Sequence, residues 1–313
     1  MANWTEQDIP DQSGRTILVT GANSGLGLRS ARVLAAAGAR VLLGCRSAER
    51  GAAAVAMITE AGGDAELVLL DLADLNAVRT AAEQVRERTG DQLDVLINNA
   101  GVMMVPNRRT AEGFESQFGT NHLGHAALTW LLMPALRGRP GARVVALGSL
   151  VAKFGRINLA DPNFEHRRYS AGAGYAQSKL ADVLFALELD RHLRAAGLDV
   201  LSVAAHPGYS DTSLTGNMAT AYGPGSRART IDFVTGLGAR LIAQRPELGA
   251  LPQLYAATAP DVQGGRYYGP NGIAEMHGYP HQVTPSRRAR DAGTASRLWT
   301  LTAELTKVSP DPA

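Results

Sequence analysis

Two side chains of opposite proton chemistry stand one helical turn apart in Tyr175-Ala176-Gln177-Ser178-Lys179. A phenol with an ordinary pKa near ~10 is a poor base at neutral pH. A cation at i+4 projects from the same helix face and stabilises the phenolate, which is what a general acid/base requires. The chain has only three lysines (Lys153, Lys179, Lys307), and of its eight tyrosines only Tyr175 has a lysine at i+4. Tyr169, the nearest competitor, has Ala173 there. The helix that would carry the pair continues with an apolar stripe, Leu180, Val183, Leu184 and Leu187. A hydroxyl that orients a substrate oxygen should come from the C-terminal end of a central strand, where α/β sheets place their sites. Ser149 stands there, directly after the run 144–148. Taken alone, such a serine is better read as a turn-forming hydroxyl.

A second constellation, Gly21-Ala22-Asn23-Ser24-Gly25-Leu26-Gly27, follows the β-branched run 16–20. A diphosphate needs close backbone approach, exposed N–H groups and a helix N-terminus aimed at it. Glycines permit that approach where a Cβ would block it. The spacing is G-x-x-x-G-x-G, not the dinucleotide G-x-G-x-x-G. An ordinary strand-to-helix turn also uses glycines, but the position after the first strand of a βαβ unit favours a cofactor. The next strand ends in Gly44-Cys45-Arg46-Ser47, with no acid before Glu49. A carboxylate there would bind the adenosine ribose and repel a 2′-phosphate. Arg46 can instead pair with a 2′-phosphate and stack on adenine, so NADP(H) is expected over NAD. The plainer reading of Arg46 is a solvated surface arginine.

The elements that must hold these groups follow from periodicity. Runs 16–20, 41–43, 67–70, 95–97, 144–147 and 200–203 are short and apolar nearly throughout. That suits central strands covered on both faces. Segments 26–37, 48–61, 75–88, 114–136 and 173–196 are helical in character, and Gly38, Gly62-Gly63, Gly90 and Gly197 close them as C′ glycines. The alternation predicts right-handed βαβ units and a doubly wound parallel sheet, a Rossmann-type three-layer α/β/α fold. Beyond residue 206 the texture changes. Residues 207–250 are rich in Gly, Ser, Thr and Tyr, with Leu214, Met218, Tyr222, Phe233 and Leu237 scattered among them. A further strand is expected at 265–268, a turn at Pro270-Asn271-Gly272, loop over 273–285 and a closing helix over 289–306. No polar linker intervenes. Residues 1–313 therefore read as one domain, with 207–313 its substrate-loop and C-terminal elaboration.

Composition narrows the class. The 313 residues are 45% hydrophobic and 19% charged, enough for a sizeable core. The 31 basic and 29 acidic residues alternate along the chain and leave a net charge of +2, which argues against a nucleic-acid partner. The single Cys45 precludes an intramolecular disulfide and any all-cysteine metal site. The start has no basic or apolar signal region, and no run nears ~18 apolar residues, so no membrane span and a cytoplasmic location are expected. His122 and His125 lack a third ligand, and His277 and His281 are separated by Gly278 and Pro280; no metal is expected.

TGANSGLG at 20–27, NNAG at 98–101, Asn121, Ser149 and YAQSK at 175–179 stand in a telling order. Over roughly residues 14–210 the chain resembles the short-chain dehydrogenase/reductase family, by a combination far more specific than any single motif. The resemblance implies a Rossmann-type fold, a nicotinamide cofactor and hydride transfer at a carbonyl or alcohol carbon. By position it implies Tyr175 as the acid/base, and Lys179 as the residue that binds the nicotinamide ribose and eases Tyr175 ionisation. Ser149 would orient the substrate oxygen, and Asn121 would hold a water relaying protons through Lys179. Gly21, Asn23, Ser24, Gly25, Leu26 and Gly27 would cradle the cofactor. Asp71 and Leu72 would sit by the adenine, with Asn99, Ala100 and Gly101 along the cofactor channel. Pro207, Gly208 and Thr212 match the segment that holds the carboxamide end.

Ser149 and Tyr175 lie 26 positions apart, more than is usual in the family, so 153–174 contains an insertion. With Cys45-Arg46 and the long C-terminal part, this resembles the branch of retinol dehydrogenases, protochlorophyllide reductases and WW-domain oxidoreductases, although no WW domain is present. The expected partner is a small carbonyl or alcohol substrate, lipophilic if the apolar residues of 209–250 form a flap. Its pocket would be built from Phe154, the 153–172 insertion and 209–250, all read as loops. Packing of those apolar residues in a small core or a homo-oligomer contact stands as the equal alternative. Two other functions compete: an NADP-binding sensor without turnover, and a nucleotide-sugar epimerase or dehydratase. Such sensors commonly lose the tyrosine or the lysine, and this chain keeps both. The short C-terminal region and the glycine spacing oppose the sugar enzyme.

Overall fold

Aliphatic and β-branched runs become strands here because helices cover the sheet on both faces, so each strand can be apolar on both sides. The computed structural model describes residues 3–209 and 245–312. Within them the chain alternates β1 (Thr16–Thr20), α1 (Gly25–Ala36), β2 (Arg40–Cys45), α2 (Ala48–Glu60), β3 (Asp64–Leu69), α3 (Leu75–Thr89) and β4 (Val95–Asn98). It continues through α4 (Gly124–Arg137), β5 (Ala142–Leu147), α5 (Ala171–Ala195) and β6 (Val200–Ala205). After the undescribed stretch come α6 (Pro246–Thr258), β7 (Tyr267–Pro270), β8 (Pro280–Val283) and α7 (Ala292–Thr306). The sheet order is β3-β2-β1-β4-β5-β6-β7-β8. Strands β1 to β7 are parallel, and β8 returns antiparallel with Tyr267 opposite Val283.

Alternate side chains of each strand feed opposite layers. Leu18, Leu42, Leu96 and Val144 pack with Val78 and Val85 of α3, Leu128 of α4 and Leu189 of α5. Ile17, Val41, Ile97 and Val203 pack on the other face with Leu34 of α1 and Leu254 of α6. Burying one such side chain contributes about 1.5–3 kcal/mol, and dozens do so here. Helix ends follow local chemistry. Asp74 caps α3 by accepting from Asn76 N and Ala77 N, and Gly90 closes it at φ 59°.

Two segments depart from expectation. The loop read over 273–285 contains β8, an edge strand with Pro280 at its start and only Pro280 and Val283 buried. Proline is tolerated there because an edge position needs no ladder donor on its outer side. The region to 250 read as loop gives way at Pro246 to α6, with proline in its first turn. Helix α6 packs on α1, where Gln253 Nε2 donates to Ser30 Oγ at 2.6 Å. The helix expected over 114–136 is present but not uniform: a π-helical turn, Phe118–Leu123, precedes α4.

Helix α7 closes the core from outside. Trp299 stacks on His192 (centroids 4.5 Å apart) and on Phe185 (5.4 Å) of α5, and meets Trp130 of α4 edge-on. Thr302 of the same helix sits 2.9 Å from His122 Nε2. The strand order reverses between β1 and β4, which leaves a crevice above their C-terminal ends, where ligands of open α/β sheets bind.

Candidate active site

The crevice is an open cleft above the C-terminal ends of the strands. Gly21 and Asn23 to Gly27 form one wall, with Arg46, Asp71-Leu72 and Asn99 to Gly101 around them. These residues, expected around a cofactor, thus share one cleft although they come from four different strand ends. Thr20 explains the arrangement. Its Oγ accepts from Asn99 N and Ala100 N, both at 2.9 Å, and Asn99 Nδ2 donates back to Thr20 O at 2.7 Å. The turn after β1 is thereby joined to the turn after β4. Gly21 has φ 67°, and a Cβ on it would come within 3.0 Å of Ala100. A Cβ on Gly27 would come within 2.5 Å of Gly21 O and Asn99 Nδ2.

Thr20 Oγ passes its own hydrogen to His125 Nε2 at 2.9 Å, while His125 Nδ1 donates to Asn121 O at 2.8 Å. These partners assign the Nδ1–H tautomer. Burial pushes His125 and His122 down to about 3, so both are neutral core imidazoles. Asn121, in the π-helical turn, spends its side chain on structure. Its Nδ2 donates to Val102 O and Ser178 Oγ, and its Oδ1 accepts from Val102 N. Its main-chain carbonyl accepts from the His125 ring.

At the outer end of the cleft, Arg46 and Arg50 are both exposed and both line it. Neither guanidinium has an ion-pair partner among the described residues. Ser47, which caps α2 by accepting from Arg50 N, fixes the two arginines relative to each other. Arg50 was open to sequence reasoning at i+4 from Arg46 but is not singled out by any motif. Neighbouring Cys45 is buried, which raises its thiol to about 11 and leaves it unreactive.

The tyrosine–lysine pair lies beyond the inner end of the cleft. Tyr175 is 7% and Lys179 4% exposed, both on α5. Lys179 Nζ donates to Leu147 O at 2.8 Å and to Asp182 Oδ2 at 3.0 Å. Burial pulls Lys179 down, but the Asp182 carboxylate and Tyr175 outweigh it, and Lys179 stays an ammonium. Burial raises Asp182 to about 6 against the pull of Lys179, so the pair is ionic at neutral pH. Asp182 is a residue the motifs miss; its signal is an acid at i+3 from the lysine. A Cβ on Gly101 would lie 3.7 Å from Lys179 Nζ, so the cleft floor adjoins the lysine.

Ser149 follows β5 and caps the 3-10 turn Leu150–Phe154, its Oγ accepting from Val151 N at 3.4 Å. That turn ends at Gly155, packed against Ala176 and Leu180, so the serine and the tyrosine sit on adjoining segments. Ser149, Tyr175, Lys179, Asn121, Pro207 and Gly208 are not part of the lining of the cleft itself. Thr212, most of the 209–250 region and its five scattered apolar residues lie outside the described residues. The insertion is pinned rather than free. Asn163 Oδ1 accepts from Glu115 N, and Gln177 of α5 bonds both Pro162 O and Arg167. Among the described residues, no cluster of three or more His, Cys, Asp or Glu side chains could hold a metal, and no helix is long and apolar enough to cross a membrane.

The family model for short chain dehydrogenases matches residues 15–223. Polyprenol dehydrogenase of Mus musculus is 41% identical over 307 residues, spanning 95% of this chain and 85% of that protein. Retinol dehydrogenase 13 of Homo sapiens is 38% identical over 296 residues, spanning 93% and 84%. The crystal structure of an uncharacterized protein from Mycobacterium Paratuberculosis has 43% identity and a TM-score of 0.79, covering 98% of this chain and 99% of that one. Matches of this extent, on a fold whose switch-point cleft adjoins a buried tyrosine and lysine, make the chain an oxidoreductase of the short-chain dehydrogenase/reductase family.

Proposed function

We propose that the protein transfers hydride between NADP(H) and a carbonyl or alcohol carbon of a lipophilic substrate, with Tyr175 as the acid/base. The observation that carries this reading is the buried Tyr175 and Lys179 beside a cleft whose far end holds two arginines that have no ion-pair partner among the described residues. The residues fit a nicotinamide dinucleotide: a glycine turn packed too tightly against Asn99 and Ala100 to admit a Cβ, a helix N-terminus at Gly25, and a floor at Gly101 against Lys179. A bound nicotinamide supplies or accepts the hydride. Ser149 orients the substrate oxygen through its hydroxyl hydrogen. Tyr175 gives its proton to that oxygen in reduction and takes it back in oxidation. Lys179 contributes an ammonium charge that favours the phenolate and a donor for ribose hydroxyls. Asn121 holds a water that relays protons through Lys179. Pro207 and Gly208 hold the carboxamide end. Strands β7 and β8 extend the same sheet, in keeping with 207–313 as an elaboration of one domain.

Two observations support the finer points. Arg46 and Arg50 offer a 2′-phosphate two charge-assisted partners, each worth about 1.5–3 kcal/mol. Arg46→Ala with Arg50→Ala should therefore weaken NADPH by more than ~10-fold and leave NADH nearly unchanged. Fluorescence titration of both cofactors measures this, and equal affinity of the unmodified protein for the two would end the NADP reading. The substrate class rests on the rim. Of six exposed large apolar side chains among the described residues, Met104, Phe154, Tyr209 and Ile273 follow the C-terminal ends of β4, β5, β6 and β7. The names of the relatives, retinol and polyprenol dehydrogenases, point the same way. In a homologous aldehyde series followed by NADPH absorbance, kcat/KM should rise about fourfold per added methylene until the rim is covered. Faster turnover of charged sugars than of long-chain aldehydes would remove the lipophilic assignment.

A further inference from the structure

Strand β6 runs out into His206-Pro207-Gly208-Tyr209, and this short segment is held by an unusual polar clamp. The His206 ring is buried against Gly269 and Tyr267 of β7. Its Nδ1 accepts from Gly208 N at 3.2 Å, so the ring proton sits on Nε2, which donates to Glu275 Oε2 at 3.0 Å. Lys153 Nζ reaches the same oxygen at 2.9 Å. Tyr209 N donates to Met276 O at 2.7 Å. One carboxylate thus joins three segments: the exit of β6, the turn capped by Ser149, and the connection between β7 and β8.

The connection is shaped to deliver that carboxylate. Ala274 and Glu275 have φ of 53° and 59°, a left-handed conformation that side-chain-bearing residues keep only where their surroundings hold them. Backbone strain of this kind collects at functional sites. His206 and Lys153 hold the Glu275 carboxyl far below its ordinary value, at about 2, so the clamp is charged at any working pH.

We propose that Glu275 is a positioning residue for the nicotinamide end of the cofactor. Through His206 it sets the Gly208 amide, the adjoining Met276 carbonyl holds the Tyr209 amide, and through Lys153 the segment is tied to the turn that carries Ser149. Glu275 itself touches no reacting atom. The proposal rests on the reading of Pro207-Gly208 as the carboxamide-holding segment.

The test uses full-length Glu275→Ala, Glu275→Gln and the unmodified protein. Two ligands separate the halves of the cleft: NADPH, and adenosine 2′,5′-bisphosphate, which has no nicotinamide. Losing a charge-assisted bond should weaken NADPH by about tenfold in Glu275→Ala and leave the bisphosphate within about twofold. Glu275→Gln, which keeps an acceptor for His206 Nε2, should restore NADPH to within about threefold. In the cofactor-free protein, the Gly208 and Tyr209 amides should exchange at least ~10-fold faster in Glu275→Ala. Parallel loss of both ligands would make Glu275 a general structural residue and overturn the proposal. Unchanged amide exchange would overturn it too, by removing the clamp, while leaving the carboxamide reading intact. Faster exchange with unchanged NADPH affinity would overturn it through that reading, because the segment would then not meet the nicotinamide.

Discussion

Tyr175→Phe lowers turnover by about 10²–10⁴-fold and leaves NADPH affinity within about twofold. The substitution removes one oxygen from a ring that is already buried, so packing on α5 is kept. Lys179 retains Leu147 O and Asp182 as partners, and no buried charge is orphaned. The loss therefore falls on kcat and kcat/KM together, the mark of a group needed only in the transition state. Lys179→Ala behaves differently. It leaves Asp182 buried without its cation, so stability and cofactor affinity fall along with turnover. Single-turnover kinetics beside equilibrium NADPH titration separates the two patterns. A Tyr175→Phe enzyme that kept a tenth of its activity would move the acid/base to another residue.

The fold should lose on the order of 3 kcal/mol between pH 7 and pH 5. His122 and His125 are buried, and burial holds both at about 3, against 6.5 for a free imidazole. A folded value below the unfolded one means that the unfolded chain binds more protons. Stability is then complete above pH 6.5 and is lost as pH falls towards 3, at about 1.4 kcal/mol per unit for each histidine. At pH 5 the two cost on the order of 4 kcal/mol. Asp182, raised to about 6, acts in the opposite sense. Its folded form takes up a proton first, which returns about 1 kcal/mol by pH 5. His206, lowered chiefly by burial, adds to the histidine side. Urea unfolding at pH 7, 6 and 5 measures the slope, and His125→Asn should flatten it by about one proton. A slope of zero would mean that the two imidazoles are not held neutral.

Much of the cofactor half is legible in the sequence because backbone geometry defines it. Gly21, Gly25 and Gly27 are demanded by turn conformation and close contact, and each of the first six strands overlaps a run that is apolar nearly throughout, although β3 starts earlier than its run, at Asp64, and includes Glu66. The rest depends on facts that spacing does not carry. Helix α6 has buried residues nearly all round from Gly249 to Thr258, so it shows no amphipathic period. Strand β8 turns only its two end residues inward, which leaves no alternation to read. Lys179 and Asp182 are visible as an i, i+3 pair, but such pairs usually lie in water, and only tertiary packing buries this one. Glu275 lies 69 positions from His206, and no local pattern links them.

Helix α7 has a consequence for how the molecule is made. Trp299 and Thr302 cover Phe185, His192, Trp130 and His122, all of which leave the ribosome earlier. Translation from the end of α5 to the start of α7 spans about 100 residues, or roughly 5–20 s at cellular elongation rates. The strands and helices of the cofactor cleft can pair during that interval, while the outer flank of the tyrosine-bearing helix stays bare. A nascent chain stalled before residue 292 should thus present an aromatic surface to chaperones although its glycine turn is already formed. Synonymous codons that slow elongation between 195 and 292 should change the yield of soluble protein and leave the kcat of the purified enzyme untouched.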